Sequence, residues 1–227
     1  MGDPRLDRIE GWTAVAMGMA AMALYVVAYQ LPFWQFTLHA PQYPEGLDLV
    51  IYLDHLGGRV REINGLNHYI GMAKLQEAAQ FERESSHWGI GALVALVGVG
   101  LIGGGLRWKW LTLAPAIGFP LIFIGDMFYW LYMFGNNLSP RAPIEIPGFT
   151  PSMFGEGKIG QFATYAYPGT GFWLAVAAAG LVVGALWLRR SVCSRCSRKP
   201  ICGLTCPRLV VRTDDAEKFG PAAEEVG

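Results

Sequence analysis

The sequence predicts an all-α membrane fold: a four-transmembrane-helix bundle with an external layer of one β-hairpin, an amphipathic helix and a long Pro-rich loop. Three observations predict it. Of 227 residues, 52% are hydrophobic and only 16% are charged, where soluble domains carry about a quarter charged. The apolar residues sit in four blocks rather than spread along the chain, and Lys and Arg gather at the block ends on one side. Lys plus Arg and Asp plus Glu each number 18, so the formal net charge is zero. That balance lacks the basic excess that nucleic-acid binding needs, and no nucleic-acid partner is expected.

A helix crossing the hydrocarbon core needs about 20 mostly apolar residues. The first span, 12–34, is apolar from Trp12 to Leu31 apart from Thr13 and Gln30. It is too long for a signal peptide and no small-x-small cleavage site follows, so it reads as an uncleaved anchor. The second, Trp88 to Leu106, has no charge, and the third, Trp110 to Phe134, carries Asp126. Phe172 to Leu188 is the shortest. Trp or Tyr near most ends matches the aromatic belts of membrane helices. Gly100 with Gly104, and Gly180 with Gly184, stand four apart. This spacing permits close helix approach, or is simply Gly-rich membrane sequence. Pro115 and Pro120 fall inside the third span, so neighbouring helices must satisfy the backbone groups they free.

Positive charge in short flanks orients the spans. Arg5 and Arg8 lie in the N-terminal segment 1–11, Arg107 and Lys109 in the link 107–109, and Arg189, Arg190, Arg195, Arg198 and Lys199 in the tail 189–227. All three clusters fall on one side of a four-span topology. This predicts a bacterial inner-membrane protein with both termini cytoplasmic, and with 35–87 and 135–171 facing outward.

In the first outward segment, Leu47, Leu49, Ile51 and Leu53 alternate at period two, as in a half-buried strand. Gly57 and Gly58 then suggest a hairpin returning through Arg59–Ile63. Asn64 is placed to cap an amphipathic helix from about Leu66 to Glu84, with one stripe of Leu66, Tyr69, Ile70 and Ala73 beside another of His68, Met72, Leu75 and Ala79. The second segment holds Pro140, Pro143, Pro147, Pro151 and Pro168. So many prolines predict an irregular loop, and its aromatic residues predict an ordered one.

All four histidines, His39, His55, His68 and His87, lie in the first outward segment. His68 and Met72 stand four apart on the predicted helix. Imidazole with thioether suits copper, and the other three histidines are candidate helpers; alternatively His68 bridges external elements while Met72 packs. Asp126 is the one charge inside a span. Such a group faces the bundle or water, as a relay, an ion or metal ligand, or a structural hydrogen-bonding partner. The tail carries Cys193, Cys196, Cys202 and Cys206. Their spacing fits neither zinc-ribbon nor ferredoxin templates, leaving either a tail metal site or an incidental Cys-rich, basic segment. Residues 213–227 are acidic and read as disordered. No nucleotide-binding, haem-attachment or hydrolase motif is present, so catalysis has little direct support.

The stretches Ala40–Leu47, Ile63–Met72 with its Asn-His-Tyr-Ile-Gly-Met block, Asn136–Pro143 and Phe149–Pro151 resemble a group of bacterial multi-span membrane proteins associated with copper-handling and nitrous-oxide-reductase accessory gene clusters. The resemblance covers roughly residues 12–188. It implies an accessory role in copper delivery or respiratory-enzyme maturation, with His68 and Met72 as the carried-over positions. It also implies a His where this chain has Asn136, which leaves a metal site one ligand short. Two functions are therefore expected: an accessory protein binding copper or a copper-bearing partner at its outer face, or a non-catalytic subunit of a larger membrane redox complex.

Overall fold

The computed structural model describes residues 4–102, 106–144, 146–159 and 162–194. The fold is mixed α/β, which corrects the all-α expectation: among the described residues, five helices accompany a five-stranded antiparallel sheet. In chain order these are α1 (Pro4–Tyr29), β1 (Trp34–Ala40), β2 (Tyr43–Ile51), β3 (Leu56–Gly58), α2 (Val60–Ile70), α3 (Gln80–Ile102), α4 (Leu106–Asn136), β4 (Gly155–Ile159), β5 (Phe162–Pro168) and α5 (Thr170–Ser194). Gly104, Cys196, Cys202, Cys206 and the acidic segment 213–227 lie outside the described residues, and Cys193 is described only as part of the α5 backbone.

Among the described residues, four helices are long and apolar enough to cross a membrane: Ile9–Tyr29, Gln80–Ile102, Leu111–Asn136 and Thr170–Arg189. Around the bundle α5 packs on α1, α1 on α3, α3 on α4 and α4 on α5. Small residues set the close approaches. Ala14, Ala21 and Ala28 of α1 and Ala175, Ala178 and Val182 of α5 are buried. A methyl at Gly100 would come within 2.7 Å of Leu113, whereas Gly180 faces open space. The glycine seam is therefore partial. The buried Tyr25 reaches across the bundle, and its hydroxyl donates to the Ala116 carbonyl at 2.6 Å.

The sheet caps one end of the bundle in the order β3-β2-β1-β5-β4. β1 alternates Trp34, Phe36 and Leu38 inward with Gln35, Thr37 and His39 outward, pairing with Ile51, Leu49 and Leu47 of β2 and with Pro168, Ala166 and Thr164 of β5. The Pro-rich connection is thus not irregular throughout, because its second half supplies two strands. Nor does the cap hang on loose linkers. Phe33 N–H donates to Ile51 O, while Gly169 and Gly171 donate to Phe33 O and Pro32 O at 2.9 and 2.8 Å. A column of ring contacts, Tyr25–Phe119–Phe33–Phe123–Trp34, continues from the bundle into the sheet.

The first outward segment departs from expectation in two places. The β2–β3 turn lies at Tyr52–His55, ahead of the glycines. Gly58, at φ +84°, then swings the chain off the sheet where a side chain would strike the Asp48 carbonyl, so residues 60–63 begin a helix instead of a strand. The helix expected over 66–84 is broken. α2 ends at the left-handed Gly71, a three-residue 3-10 turn follows at Leu75–Glu77, and α3 begins at Gln80. Asn64 lies inside α2 and ties the return segment: its Oδ1 accepts from Leu75 N–H at 2.8 Å and its amide donates to Gln76.

Candidate functional site

The break at Gly71 decides where His68 and Met72 point. Gly71 and Met72 N–H groups close back onto Asn67 and His68 carbonyls, which satisfies the helix end and reverses the chain. His68 is left exposed beside Tyr69, while Met72 turns inward. They therefore do not share a helix face.

The other histidines are dispersed. His39 stands on the outer sheet face, its Nδ1 3.2 Å from Pro44 O and its ring edge-on to Tyr165. His55 stacks on Tyr52 and pairs with Asp54 at 2.6 Å. His87 lies exposed near the start of α3, against Trp88. Among the described residues no group of three or more His, Cys, Asp or Glu is placed to hold a metal ion. Asp126 is half-buried on α4, where it faces the Trp130 indole one turn on and feels Glu82 of α3.

What the fold does assemble is an apolar cavity of about 180 Å³ beneath the sheet. Phe36, Leu47 and Leu49 form its roof. Ile63, Leu66, Asn67 and Ile70 of α2 form one wall, Met127, Trp130 and Phe134 of α4 another, and Phe149 and Pro151 of the long loop close a side. Few polar groups reach it. Thr164 Oγ1 is already used, donating to Gly157 O at 3.2 Å. Two donors are different: Asn67 is only 7% exposed, and neither its Nδ2 nor the buried Trp130 Nε1 finds a hydrogen-bond partner.

Asn67 was not among the residues singled out from sequence, yet a signal was present. Ile63, Leu66, Asn67 and Ile70 recur at the three- and four-residue steps of one inward helix stripe, and Asn67 alone interrupts its apolar character. A buried amide with no partner costs about 1–3 kcal/mol. The cost is recovered when an oxygen acceptor arrives. An engineered apolar cavity of about 150 Å³ takes up benzene, so this one is large enough for a ring or a short hydrocarbon segment.

The long loop holds the wall in place. Ser139 N–H donates to Gly71 O at 2.8 Å and Ile144 N–H to Tyr69 O at 3.0 Å. The Asn136 amide bonds to Tyr132 O and Phe149 O, closing the loop at its base. The Asn67–Met72 and Asn136–Ala142 segments, distant in sequence, thereby become one continuous surface. Compared with known proteins, the chain matches no family model and no curated protein.

Proposed function

We propose that this chain is a multi-pass accessory protein of the bacterial inner membrane, with both termini cytoplasmic, whose outward cap holds a small, largely apolar ligand. The observation that carries this reading is the cavity lined by hydrocarbon, in which two buried donors of the lining residues, Asn67 Nδ2 and Trp130 Nε1, have no hydrogen-bond partner. Ligand sites commonly have this make-up, an apolar wall with a few oriented polar groups. The test is organic extraction and mass spectrometry of protein purified in mild detergent. Wild type should release a stoichiometric small molecule, and Leu49→Trp, which fills the cavity, should release none. Equal recovery from both proteins, or none from wild type, would sink the reading.

Copper handling is a second reading. It is supported by the resemblance, and by the joining of the two segments that carry it into one surface with His68 exposed. Cuprous loading of the purified protein, with metal counted for wild type, His68→Ala and Met72→Ala, tests it. Wild type should hold copper and His68→Ala should lose it, with Met72→Ala, whose side chain turns inward, as the comparison; loading that ignores the His68 substitution would overturn it.

A further inference from the structure

A second groove, of about 370 Å³, runs beside the cavity between α3 and α4. Ser86, Gly89 and Ile90 line it on one side, Phe119, Ile122 and Asp126 on the other. Met127, Trp130, Ile51, Leu56 and Ala78 line both spaces, so a single layer of side chains separates them. From Trp130 to Phe119 the groove descends α4 by about 16 Å at 1.5 Å per residue. That depth lies within the membrane-length stretch Leu111–Asn136. Ile122 is 62% exposed, placing the groove on the lipid-facing flank of the bundle rather than in its interior.

Arg83 does not supply a free charge to the groove, because its guanidinium is spent on Gln76 O and Ala78 O, clamping the return segment. Among the described residues, the cavity lining holds no Lys, Arg or His. A phosphate or carboxylate would have no counter-charge there and would carry a large desolvation cost. A neutral carbonyl oxygen suits neutral N–H donors such as Asn67 Nδ2 and Trp130 Nε1.

Resting on the ligand reading above, we infer that the cavity is loaded sideways from the membrane with a carbonyl-bearing lipid. The carbonyl accepts from Asn67, and the lipid's chain lies along the α3–α4 groove. A quinone ring and an acyl ester share this chemistry, and both are membrane-soluble.

The experiment uses the full chain in lipid nanodiscs with two probes: an alkyl-tailed benzoquinone, and phosphatidylcholine brominated on its acyl chain. Both quench indole fluorescence. Because the chain has 8 Trp, the signal is the difference between wild type and Trp130→Phe. One probe should quench Trp130 saturably, with apparent affinity falling about five- to tenfold in Asn67→Leu. A response to the quinone identifies a ring carbonyl, and a response to the bromolipid an ester carbonyl; either supports the inference. Gly89→Phe fills open space in the groove without entering the cavity lining. It should slow the onset of quenching several-fold while leaving the endpoint unchanged. If neither probe responds to Asn67→Leu, this inference falls, and the ligand reading stands or falls on the extraction experiment alone. If Asn67-dependent quenching persists with an unchanged onset in Gly89→Phe, the lateral route alone is overturned.

Discussion

The Tyr25 hydroxyl donates to the one carbonyl on α4 that Pro120 leaves without its helical partner, that of Ala116. In a regular helix the N–H of residue 120 would bond to that oxygen, and proline has none. Tyr25 is fully buried on α1 and supplies the missing donor from across the bundle.

This relationship predicts a thermodynamic coupling. Tyr25→Phe should destabilise the protein by about 1–3 kcal/mol, since it leaves a buried acceptor unpaired. In a Pro120→Ala background the helix regains its own donor, and the same substitution should cost less. A double-mutant cycle of unfolding in mixed micelles measures the difference. Equal costs in both backgrounds would show that the two residues are independent.

Gly71 and Gly65 should respond oppositely to alanine. Gly71 sits at φ +77°, and a methyl there would come within 2.9 Å of Ser139 N, Ser139 O and Ala142 Cβ. Gly71→Ala should cost about 2 kcal/mol or more, from backbone strain and the displaced loop. Gly65 lies within α2, and a methyl added there would meet nothing within 4 Å. Gly65→Ala should stabilise the protein by about 0.5–1 kcal/mol through helix propensity. Paired melting curves check both signs.

Gly169 is the hinge-free junction of sheet and bundle. A side chain there would collide with the Pro32 carbonyl, and its N–H donates to Phe33 O. Gly169→Val should part β5 from the start of β1, lower the melting temperature and open this junction to limited proteolysis. A cleavage pattern identical to wild type would refute it.

Asn67→Leu should raise ligand-free stability by about 1–3 kcal/mol, because it replaces an unpaired buried amide with hydrocarbon of similar volume. A gain in stability is the opposite of what a structural Asn would show. Thermal unfolding of delipidated protein gives the sign.

The bundle was legible because lipid imposes a simple rule: long uninterrupted apolar runs. The sheet was only half legible. Leu47, Leu49 and Ile51 announced β2, and Trp34-Gln35-Phe36-Thr37-Leu38-His39 carried the same alternation without being assigned. β5 was harder to see, since its inward residues, Thr164 and Ala166, are small, and the large Tyr165 and Tyr167 point outward. Prolines at 140–151 masked the strands behind them. The expected His68–Met72 helix face depended on the helix continuing past Gly71, and a left-handed glycine there could not be told from one tolerated inside a helix. Asn67 is hard to read from sequence because its inward position depends on α2 starting at Val60, which puts it on the stripe of Ile63, Leu66 and Ile70.

The pairing of β1 with β5 sets a timetable for biogenesis. β2 follows β1 after two residues, but β5 emerges only when α3 and α4 have been made. Until then β1 shows a bare hydrogen-bonding edge, the kind of surface that recruits stray strands. A chain stalled or truncated before residue 162 keeps that edge open permanently. Quality control of this protein therefore has a natural checkpoint late in translation: arrival of β5 covers the β1 edge and leads directly into α5 in one step.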